Sequence, residues 1–578
     1  MIEILFFDFE VFKYDWLVVL IDMDAQKETV IVNNKDELEN YYSTHKNDIW
    51  TGFNSRRYDQ WILKGILAGF NPKEVNDWII LEDRPGWAFS MAFREFPLNN
   101  YDVMANIDRG LKVFEGFMGN DIRESSVPFD IDRKLTDAEI AETVKYCRHD
   151  VEQTIEVFLR RKADFDAQFG LLKMYKMPLS NISKTKVQLS AEILEAKRPI
   201  APYNDEFEIS FPPTMQIEKY SQVVDWYKNR NNRKYNVEPN DPKSKKMQLE
   251  INVASVPHVF GWGGVHGARE GYSGEGIYIN MDVASLYPSL MIRYNLHSRS
   301  CNPNKYTEIR DLRIKYKHEK NPLQAALKLV LNGTYGAMKD INNPLYDPLM
   351  ANNVCVYGQL LLLDLIEHLE PYCKIIQSNT DGVLVKIGDD RAFERVDDVA
   401  YEWEQRTGLT LEFDEYRKVY QKDVNNYVMV TADGKVKSKG AYVKKLNDLD
   451  YDLPIVNRAM VDFMVKGIPV EITISKCDDL KEFQMVKKIS NKYETMMHGD
   501  MGSGVPIKEK CVRVFASRRR SDKGLIKIHA ETGRPAKVES TPEHCFFWND
   551  DVNGVKCPTY LDKQWYVELA KKRLEGFR

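Results

Sequence analysis

The sequence predicts a multidomain α/β protein, and two observations lead to this class. At 578 residues the chain is too long for one hydrophobic core, so we expect several domains. Strand-like and helical runs alternate along it, which is typical of α/β domains. The strand-like runs lie at 2–11, 16–21, 29–32, 277–281, 374–377, 383–387 and 426–430, and the helical runs lie near 60–69, 136–161, 307–339 and 351–370.

The composition excludes several protein classes. With 43% hydrophobic and 29% charged residues, the chain matches a globular protein and neither a disordered nor a fibrous one. We find no apolar run near the roughly 20 residues that span a bilayer and no secretory signal, so we expect a cytoplasmic protein without a membrane partner. The eight cysteines form no Cys-x-x-Cys pair, which argues against a zinc site or a disulfide framework. The net charge of −5 is unlike that of most nucleic-acid-binding domains, although basic patches can be local.

Acidic residues interrupt an apolar strand at the N-terminus. In Phe7-Asp8-Phe9-Glu10 the period of two places both carboxylates on one face of the strand. Because charged groups are rarely buried without a partner, a divalent cation is the natural companion. The alternative is an edge strand with a solvated face.

Two further acidic motifs follow in the first third of the chain. Gly52 to Asp59 supplies an acid after aromatic residues, and Tyr146 lies four positions before Asp150, hence on the same helical face. Together with the first pair, these motifs resemble the three exonuclease motifs of family B DNA polymerases. The resemblance implies that Asp8, Glu10, Asp59 and Asp150 hold two Mg²⁺ or Mn²⁺ ions. It also implies that Tyr146 orients the attacking water and that Asn54 contacts the primer terminus.

A fourth acidic motif lies in the middle of the chain. The segment Asp282-Val283-Ala284-Ser285-Leu286-Tyr287-Pro288-Ser289 follows a strand-like run and resembles motif A of the same family. The resemblance implies that Asp282 binds both catalytic metal ions and that the Val283 carbonyl completes one shell. Ser285 and Leu286 would contact the nucleotide, and Tyr287 would exclude ribonucleotides through a clash with the 2′-hydroxyl.

A helical stretch beyond motif A carries candidate triphosphate ligands. Lys328, Asn332 and Tyr335 share one helical face and resemble motif B, although the usual Asn-Ser is Asn-Gly here. By resemblance the lysine neutralises the triphosphate and the tyrosine lies against the nascent base pair. Upstream, Arg313 and Lys317 are four apart on a second predicted helix of a fingers hairpin. They are candidates for further phosphate contacts, although a solvated helix face explains them equally well.

The hairpin tip at 377–382 resembles motif C, with one departure. The family reads Asp-Thr-Asp, whereas this chain reads Asn379-Thr380-Asp381. By resemblance the second aspartate is the direct ligand of both metal ions, so Asp381 retains the two-metal chemistry with Asp282. The lost charge at Asn379 would weaken metal affinity or change the preferred ion.

Two shorter motifs extend the resemblance. Gly263 and Gly264 precede motif A and resemble the Gly-Gly element that contacts the template. Lys439 and Tyr442 follow motif C and resemble the Lys-x-Tyr element that holds the primer terminus.

The order of the motifs implies an RNase H-like exonuclease domain followed by a right-hand polymerase domain. We expect the exonuclease domain at 1–195, the palm at 196–301 and 346–445, the fingers at 302–345 and the thumb at 446–578. Each active site would take two Mg²⁺ or Mn²⁺ ions, and the substrates would be primer-template DNA and dNTPs.

The spacing of the motifs refines the expected type of polymerase. The gaps from Asp282 to Lys328 and from Lys328 to Asp381 leave no room for the insertions of protein-primed relatives. We therefore expect a compact, monomeric enzyme of a phage or plasmid, in the host cytoplasm if phage-encoded, without a terminal protein. Primase, helicase, single-strand-binding and processivity proteins are its candidate partners. Two alternatives remain: an exonuclease with a weakened or Mn²⁺-dependent polymerase half, and a non-catalytic protein that guards primer ends.

Overall fold

The computed structural model describes residues 2–104, 109–201, 203–235, 245–499 and 504–577. The chain folds into two compact units, each assembled from separate segments. Unit 1 comprises Met1–Thr185, Leu446–Ile455 and Ser475–Tyr566, and unit 2 comprises Lys186–Lys445, Val456–Ile474 and Val567–Arg578. The finer domain boundaries expected from the motifs remain predictions.

The N-terminal segment of unit 1 alternates strands and helices as predicted. Its elements are β1 (Ile4–Val11), β2 (Trp16–Asp22), β3 (Lys27–Val32), α1 (Lys35–His45), β4 (Ile49–Gly52), α2 (Asp59–Leu67), α3 (Pro72–Ile80), β5 (Asn99–Asp102), α4 (Leu111–Met118), α5 (Asp137–Arg160) and α6 (Lys162–Met174).

These five strands form one mixed sheet in the order β3-β2-β1-β4-β5. β1 pairs antiparallel with β2 and parallel with β4, which pairs parallel with β5. This order and these directions are those of an RNase H-like fold. Helix α5 starts at a capping box formed by Thr136 and Glu139 and packs on β1, where Phe158 meets Phe6 edge to face.

The middle of the chain builds unit 2. Its elements are α7 (Lys186–Ile193), α8 (Ser221–Lys228), β6 (Leu249–Val253), β7 (Val256–Phe260), β8 (His266–Ala268), β9 (Tyr272–Val283), α9 (Leu286–Arg293), α10 (Pro303–His318), α11 (Leu323–Ala337), α12 (Pro348–Leu369), β10 (Lys374–Asn379), β11 (Gly382–Ile387), α13 (Asp390–Thr407), β12 (Leu411–Asp423), β13 (Asn426–Val430) and β14 (Val436–Lys439).

The nine strands of unit 2 form one antiparallel sheet in the order β14-β13-β12-β9-β11-β10-β8-β7-β6. β9 lies between β11 and β12 and pairs with both along most of its length. The strands β10 and β11 form a tight hairpin. Helices α10 and α11 pack together as a helical hairpin, and its assignment as the fingers stays a prediction. The C-terminal end of β9 therefore lies beside the N-terminal end of β11.

Helix α12 corrects one expectation from the sequence. Among the described residues it is the helix whose length and composition would suit a membrane span, although we expected no such run. Almost all of α12 is buried inside the protein, so its apolar surface is explained by core packing. The apolar run is hard to recognise in the sequence because Asn352, Asn353 and Gln359 interrupt it.

The C-terminal segment adds two small antiparallel sheets to unit 1, whereas most residues of its helices belong to unit 2. Its elements are α14 (Pro454–Lys466), α15 (Val470–Lys476), β15 (Met485–Lys488), β16 (Tyr493–His498), β17 (Val505–Ile507), β18 (Cys511–Ala516), β19 (Leu525–His529), β20 (Pro535–Lys537), β21 (Cys545–Phe547) and α16 (Lys563–Leu574). The sheet orders are β15-β18-β21 and β17-β16-β19-β20.

A buried arginine ties this segment to the end of α4. Arg513 on β18 is fully buried and donates hydrogen bonds to the carbonyls of Gly116 at 3.1 Å and Asn120 at 2.7 Å. It also donates to the carbonyls of Trp548 and Asp550. The Gly116 carbonyl also accepts from the Gly119 N–H, so the guanidinium adds a second donor there and supplies a donor to the Asn120 carbonyl beyond the helix end.

We expect Arg513→Met to destabilise unit 1 by about 3 kcal/mol. The variant would leave several buried carbonyls without donors, and unpaired buried polar groups cost about 1–3 kcal/mol each. Urea unfolding followed by circular dichroism measures the change. Arg520→Met, at an exposed position nearby in sequence, serves as the matched control and should unfold like the wild type. Equal midpoints for both variants would contradict the assigned role.

Candidate active sites

Unit 1 brings its four predicted acids together around β1. Asp8 and Glu10 lie on β1, Asp59 begins α2, and Asp150 lies on the buried face of α5. The backbone N–H of Phe9 donates to Asp59 Oδ1 at 3.2 Å, which fixes α2 beside the strand. Adjacent strand and helix ends thus collect acids that are far apart in the sequence.

The electrostatics of this cluster indicate a shortage of positive charge. Burial raises the pKa of Asp8 well above its usual range, and the neighbouring Asp59, Glu10 and Asp150 raise it further. Burial likewise raises the pKa of Glu10 and lifts the pKa of Asp59 to about 7. Hard divalent cations bind buried carboxylate clusters of this kind, so the residues fit the predicted metal ions.

Lys112 is a member of this site that the sequence analysis missed. Its Nζ lies 2.6 Å from Asp150 Oδ1 and 3.1 Å from Glu115 Oε1, and Glu115 is fully buried. The same ammonium lies 4.8 Å from the ring centroid of Tyr146. The sequence signal was a lysine and a glutamate three apart in an otherwise apolar helix, which marks a shared face but no chemistry.

Tyr146 lies near Asp150 and Glu10, whereas Asn54 lies in a turn that Asp102 holds. Burial raises the pKa of Tyr146, and the charges of Asp150 and Glu10 raise it further, so the phenol remains neutral. Asn54 has a left-handed backbone with φ of 61°, which asparagine tolerates. Asp102 accepts hydrogen bonds from the N–H groups of Asn54 and Arg56 and so holds this turn.

Unit 2 places its two predicted acids at the meeting point of β9 and β11. Asp282 pairs in register with Gly382, and the Val283 N–H donates to the Asp381 carbonyl at 2.7 Å. A Cβ on Gly382 would lie 1.9 Å from Asp282 Oδ1, so glycine is required there for the carboxylate to stand beside the hairpin tip.

Strand β12 contributes further charged groups that the sequence analysis missed. Glu412 is the register partner of Asp282, and Asp414 follows two residues later. Lys437 on β14 lies 3.7 Å from Asp282 Oδ2 and 3.4 Å from Asp414 Oδ2. Burial raises the pKa of Asp282, Lys437 lowers it in part, and Asp381 raises it again. The alternation of Glu412 and Asp414 is the same signal that identified Asp8 and Glu10.

A cationic cavity lies next to motif A. It has a volume of about 740 Å³ and is lined in part by Ser285, Arg293, Arg310, Arg313 and Lys317. Arg313 Nη1 donates to Ser285 Oγ at 3.4 Å. Ser285 has φ of 50°, an uncommon conformation outside glycine and one that is enriched at functional sites. Arg313 and Lys317 therefore lie in the same cavity as Ser285 of motif A, and their contact with phosphate stays a prediction. Leu286 is buried at the start of α9.

Helix α11 carries the motif B residues on one face. Lys328 and Asn332 are exposed, whereas the ring of Tyr335 lies 4.4 Å from the ring of Tyr287. The departure from the family's Asn-Ser has a packing reason: a Cβ on Gly333 would lie 3.0 Å from Ser190 Oγ on α7. Glycine permits this close approach of two helices.

The Gly-Gly element and motif C are in contact. A Cβ on Gly264 would lie 2.3 Å from Thr380 Oγ1, whereas Gly263 faces open space. The Thr380 hydroxyl also lies 3.3 Å from His266 Nε2, and the Thr380 N–H donates to Asn379 Oδ1 at 2.9 Å. The asparagine that departs from the family pattern therefore stabilises the turn that presents Asp381.

The last predicted pair lies at the other edge of the same sheet. Lys439 ends β14, and its register partner is Tyr427. Tyr442 follows in the next loop, where Arg573 and Lys422 lie over its ring at 4.3 and 5.4 Å.

Curated sequences resemble the chain in part. DNA polymerase 1 of Saccharolobus solfataricus is 25% identical over 362 residues, which cover 52% of this chain and 39% of that protein. DNA polymerase 1 of Sulfurisphaera ohwakuensis is 26% identical over 300 residues, covering 42% and 32%. The chain thus spans about two fifths or less of these relatives' length. No family model matches the chain.

A solved structure also resembles the chain. It is the family B DNA polymerase from the hyperthermophilic archaeon Pyrobaculum calidifontis, with a TM-score of 0.42 and 14% identity over 100% of this chain and 77% of that chain.

The strands and helices of the two units define an α/β protein, which confirms the predicted α/β class. The chain carries the segments that resemble motifs A, B and C in order, and its sequence is similar to DNA polymerase 1 of Saccharolobus solfataricus and of Sulfurisphaera ohwakuensis.

We expect the metal-free protein to lose stability in unit 1 as the pH rises from about 4 to about 7. The folded-state pKa of Asp59 is raised from 3.8 to about 7, so its contribution is complete below 4 and is lost through 7. Asp59→Asn removes this cost and should gain about 4 kcal/mol over the wild type at pH 8. Thermal unfolding in EDTA at pH 5 and pH 8 measures the difference, and an equal gain at both pH values would contradict it.

Proposed function

We propose that this chain is a template-directed DNA polymerase that extends a primer with dNTPs and proofreads with a 3′→5′ exonuclease. One observation carries the proposal: each unit has its own buried or half-buried carboxylate cluster on a motif of the expected type. In unit 2 the cluster stands beside a cationic cavity and a tyrosine pair. Such a site suits a substrate with a triphosphate and a sugar-base moiety.

In the polymerase site Asp282 and Asp381, with the Val283 carbonyl, would hold two Mg²⁺ or Mn²⁺ ions. When bound, such ions lower the pKa of the primer 3′-hydroxyl and stabilise the leaving pyrophosphate. Arg313 and Lys317 offset the triphosphate charge beside motif A, where Arg313 already contacts Ser285. The hydroxyl attacks the α-phosphorus in line, the bond to pyrophosphate breaks, and the DNA gains one nucleotide.

Further groups orient the substrates. Lys328 and Asn332 face the nucleotide from α11, and Tyr287 and Tyr335 bound the pocket under the sugar and the base pair. Gly263 and Gly264 contact the template, while Lys439 and Tyr442 contact the primer. Template pairing reads the sequence, so these protein contacts are largely to shape and backbone.

In the exonuclease site Asp8, Glu10, Asp59 and Asp150 would hold the second pair of ions. Tyr146 orients the attacking water, and Asn54 contacts the primer terminus. Lys112 binds Asp150 and so holds one carboxylate in place. The finer domain boundaries at 195, 301, 345 and 445 belong to this proposal.

The proposal includes a phage or plasmid origin, a cytoplasmic location and a monomeric enzyme that starts from a nucleic-acid primer. The segments from Asp282 to Lys328 and from Lys328 to Asp381 are wholly described and contain α9, α10, α11, α12 and β10, without an additional subdomain. This supports priming without a terminal protein. Primase, helicase, single-strand-binding or processivity proteins would assist the enzyme in the cell.

Paired variants test both activities. We expect Asp282→Ala to lower primer extension at least about 1,000-fold while single-strand degradation continues, because only one site loses its metal ligand. Asp59→Ala should do the reverse. Both activities are measured on one labelled primer-template by gel electrophoresis, with Asp102→Asn as a control for the neighbouring turn. Loss of both activities in either variant would contradict two independent sites.

Asn379 favours a second candidate function, an exonuclease whose polymerase half is weakened or depends on Mn²⁺. We expect Asn379→Asp to keep the hydrogen bond from the Thr380 N–H and to add a charge near Asp381. The Mg²⁺ concentration for half-maximal extension should then fall about threefold or more, because carboxylates bind Mg²⁺ more strongly than amides. An unchanged Mg²⁺ requirement would instead assign Asn379 to turn formation alone. Wild-type extension that requires Mn²⁺ would support the second function.

A further inference from the structure

Helix α12 presents a buried thiol to the two tyrosines of the nucleotide pocket. Cys355 is 1% exposed, and its Sγ is in hydrogen-bond contact with the Tyr335 hydroxyl. The ring of Tyr287 packs against the ring of Tyr335, with the ring centroids 4.4 Å apart. Motif B therefore meets α12 at this sulfur atom, and motif A contacts motif B through the two tyrosine rings.

The environment keeps this group neutral. Burial raises the pKa of the Cys355 thiol, and burial also raises the pKa of Tyr335 and of Tyr287. A neutral thiol and a neutral phenol can each donate and accept, so Cys355 and Tyr335 form their hydrogen bond without solvent. A thiol in this position acts as a hydrogen-bonding anchor and not as a nucleophile.

The helix that carries Cys355 is held rigidly on its other contacts. Gln359, one turn later, accepts from the Gly261 N–H at 3.0 Å and donates to the carbonyls of Gly261 and Gly263 at 2.8 Å. A Cβ on Gly358 would lie 3.4 Å from the side chain of Leu286 on α9. α12 thus contacts the Gly-Gly element, motif A and motif B at successive residues of the same helix.

We propose that Cys355 is a positioning residue that sets how strongly the enzyme excludes ribonucleotides. It holds the Tyr287 and Tyr335 rings in one arrangement, and the packing of α12 in the core keeps Cys355 itself in place. The proposal rests on the proposed polymerase function and adds a specificity determinant outside the polymerase motifs.

The physical reason is the steric nature of sugar selection. A ring excludes a 2′-hydroxyl only if it cannot move by about the width of an oxygen atom. The hydrogen bond between the Tyr335 hydroxyl and the Cys355 thiol resists that motion, and the Tyr335 ring in turn supports Tyr287. Loss of that bond corresponds to roughly a fivefold to tenfold change in an equilibrium between ring positions.

The test measures the ratio of kcat/KM for a dNTP to kcat/KM for the matching ribonucleotide in primer extension. Cys355→Ala removes the anchor and leaves a space, whereas Cys355→Val fills the volume without a hydrogen-bonding group. Cys355→Ser keeps hydrogen bonding. Cys373→Val is the matched control, since the Cys373 thiol donates to the Leu369 carbonyl just beyond the end of α12.

We expect Cys355→Ala and Cys355→Val to lower the ratio about tenfold, mainly through faster ribonucleotide incorporation. Cys355→Ser and Cys373→Val should stay within about threefold of the wild type. If Cys355→Ala fails to fold, the valine and serine variants decide the matter. A wild-type ratio in Cys355→Val overturns the inference, and so does a serine variant that loses selectivity as the valine variant does. A wild-type enzyme that extends no primer refutes the proposed function itself, an outcome that differs from all of these.

Discussion

The site formed by Asp282 and Asp381 depends on the position of β9 between β11 and β12. Antiparallel pairing on one side brings Gly382 and the hairpin tip beside Asp282, and pairing on the other side brings Glu412. The hydrogen bond from the Val283 N–H to the Asp381 carbonyl fixes the position of the hairpin tip relative to β9. A slip of one residue in either ladder would turn Asp282 to the opposite face of the sheet and disperse the site.

Each unit places several carboxylates close together, and the two units offset the resulting repulsion in different ways. In unit 1 four carboxylates share a buried space with the Lys112 ammonium, and burial raises the pKa of each carboxyl group. In unit 2 Asp282 is only partly buried, and Lys437 offsets some of the repulsion from Asp381. Each cluster remains short of positive charge, which is the condition under which a divalent cation binds with most benefit.

Local patterns predicted the parts of the sites that lie on single elements. The alternation on β1 identified Asp8 and Glu10, and the helical spacing on α11 placed Lys328, Asn332 and Tyr335 on one side. Lys112 and Lys437 were not predicted, because they contact the acids only when separate elements pack together. The sequence around a charged residue in a helix or an edge strand does not reveal such a contact. Cys355 escaped for the same reason: a cysteine in an apolar helix has the sequence environment of an ordinary core residue.

The bonds of Arg513 bear on how the protein is synthesised. The guanidinium and the Gly116 carbonyl that it binds are 397 positions apart in the chain. At about 5–20 residues per second, a ribosome needs roughly 20–80 s to make the intervening residues. During that time the Asn120 carbonyl, just beyond α4, must accept hydrogen bonds from water. The C-terminal end of the helix that bears Lys112 therefore acquires this contact only after Arg513 has been synthesised.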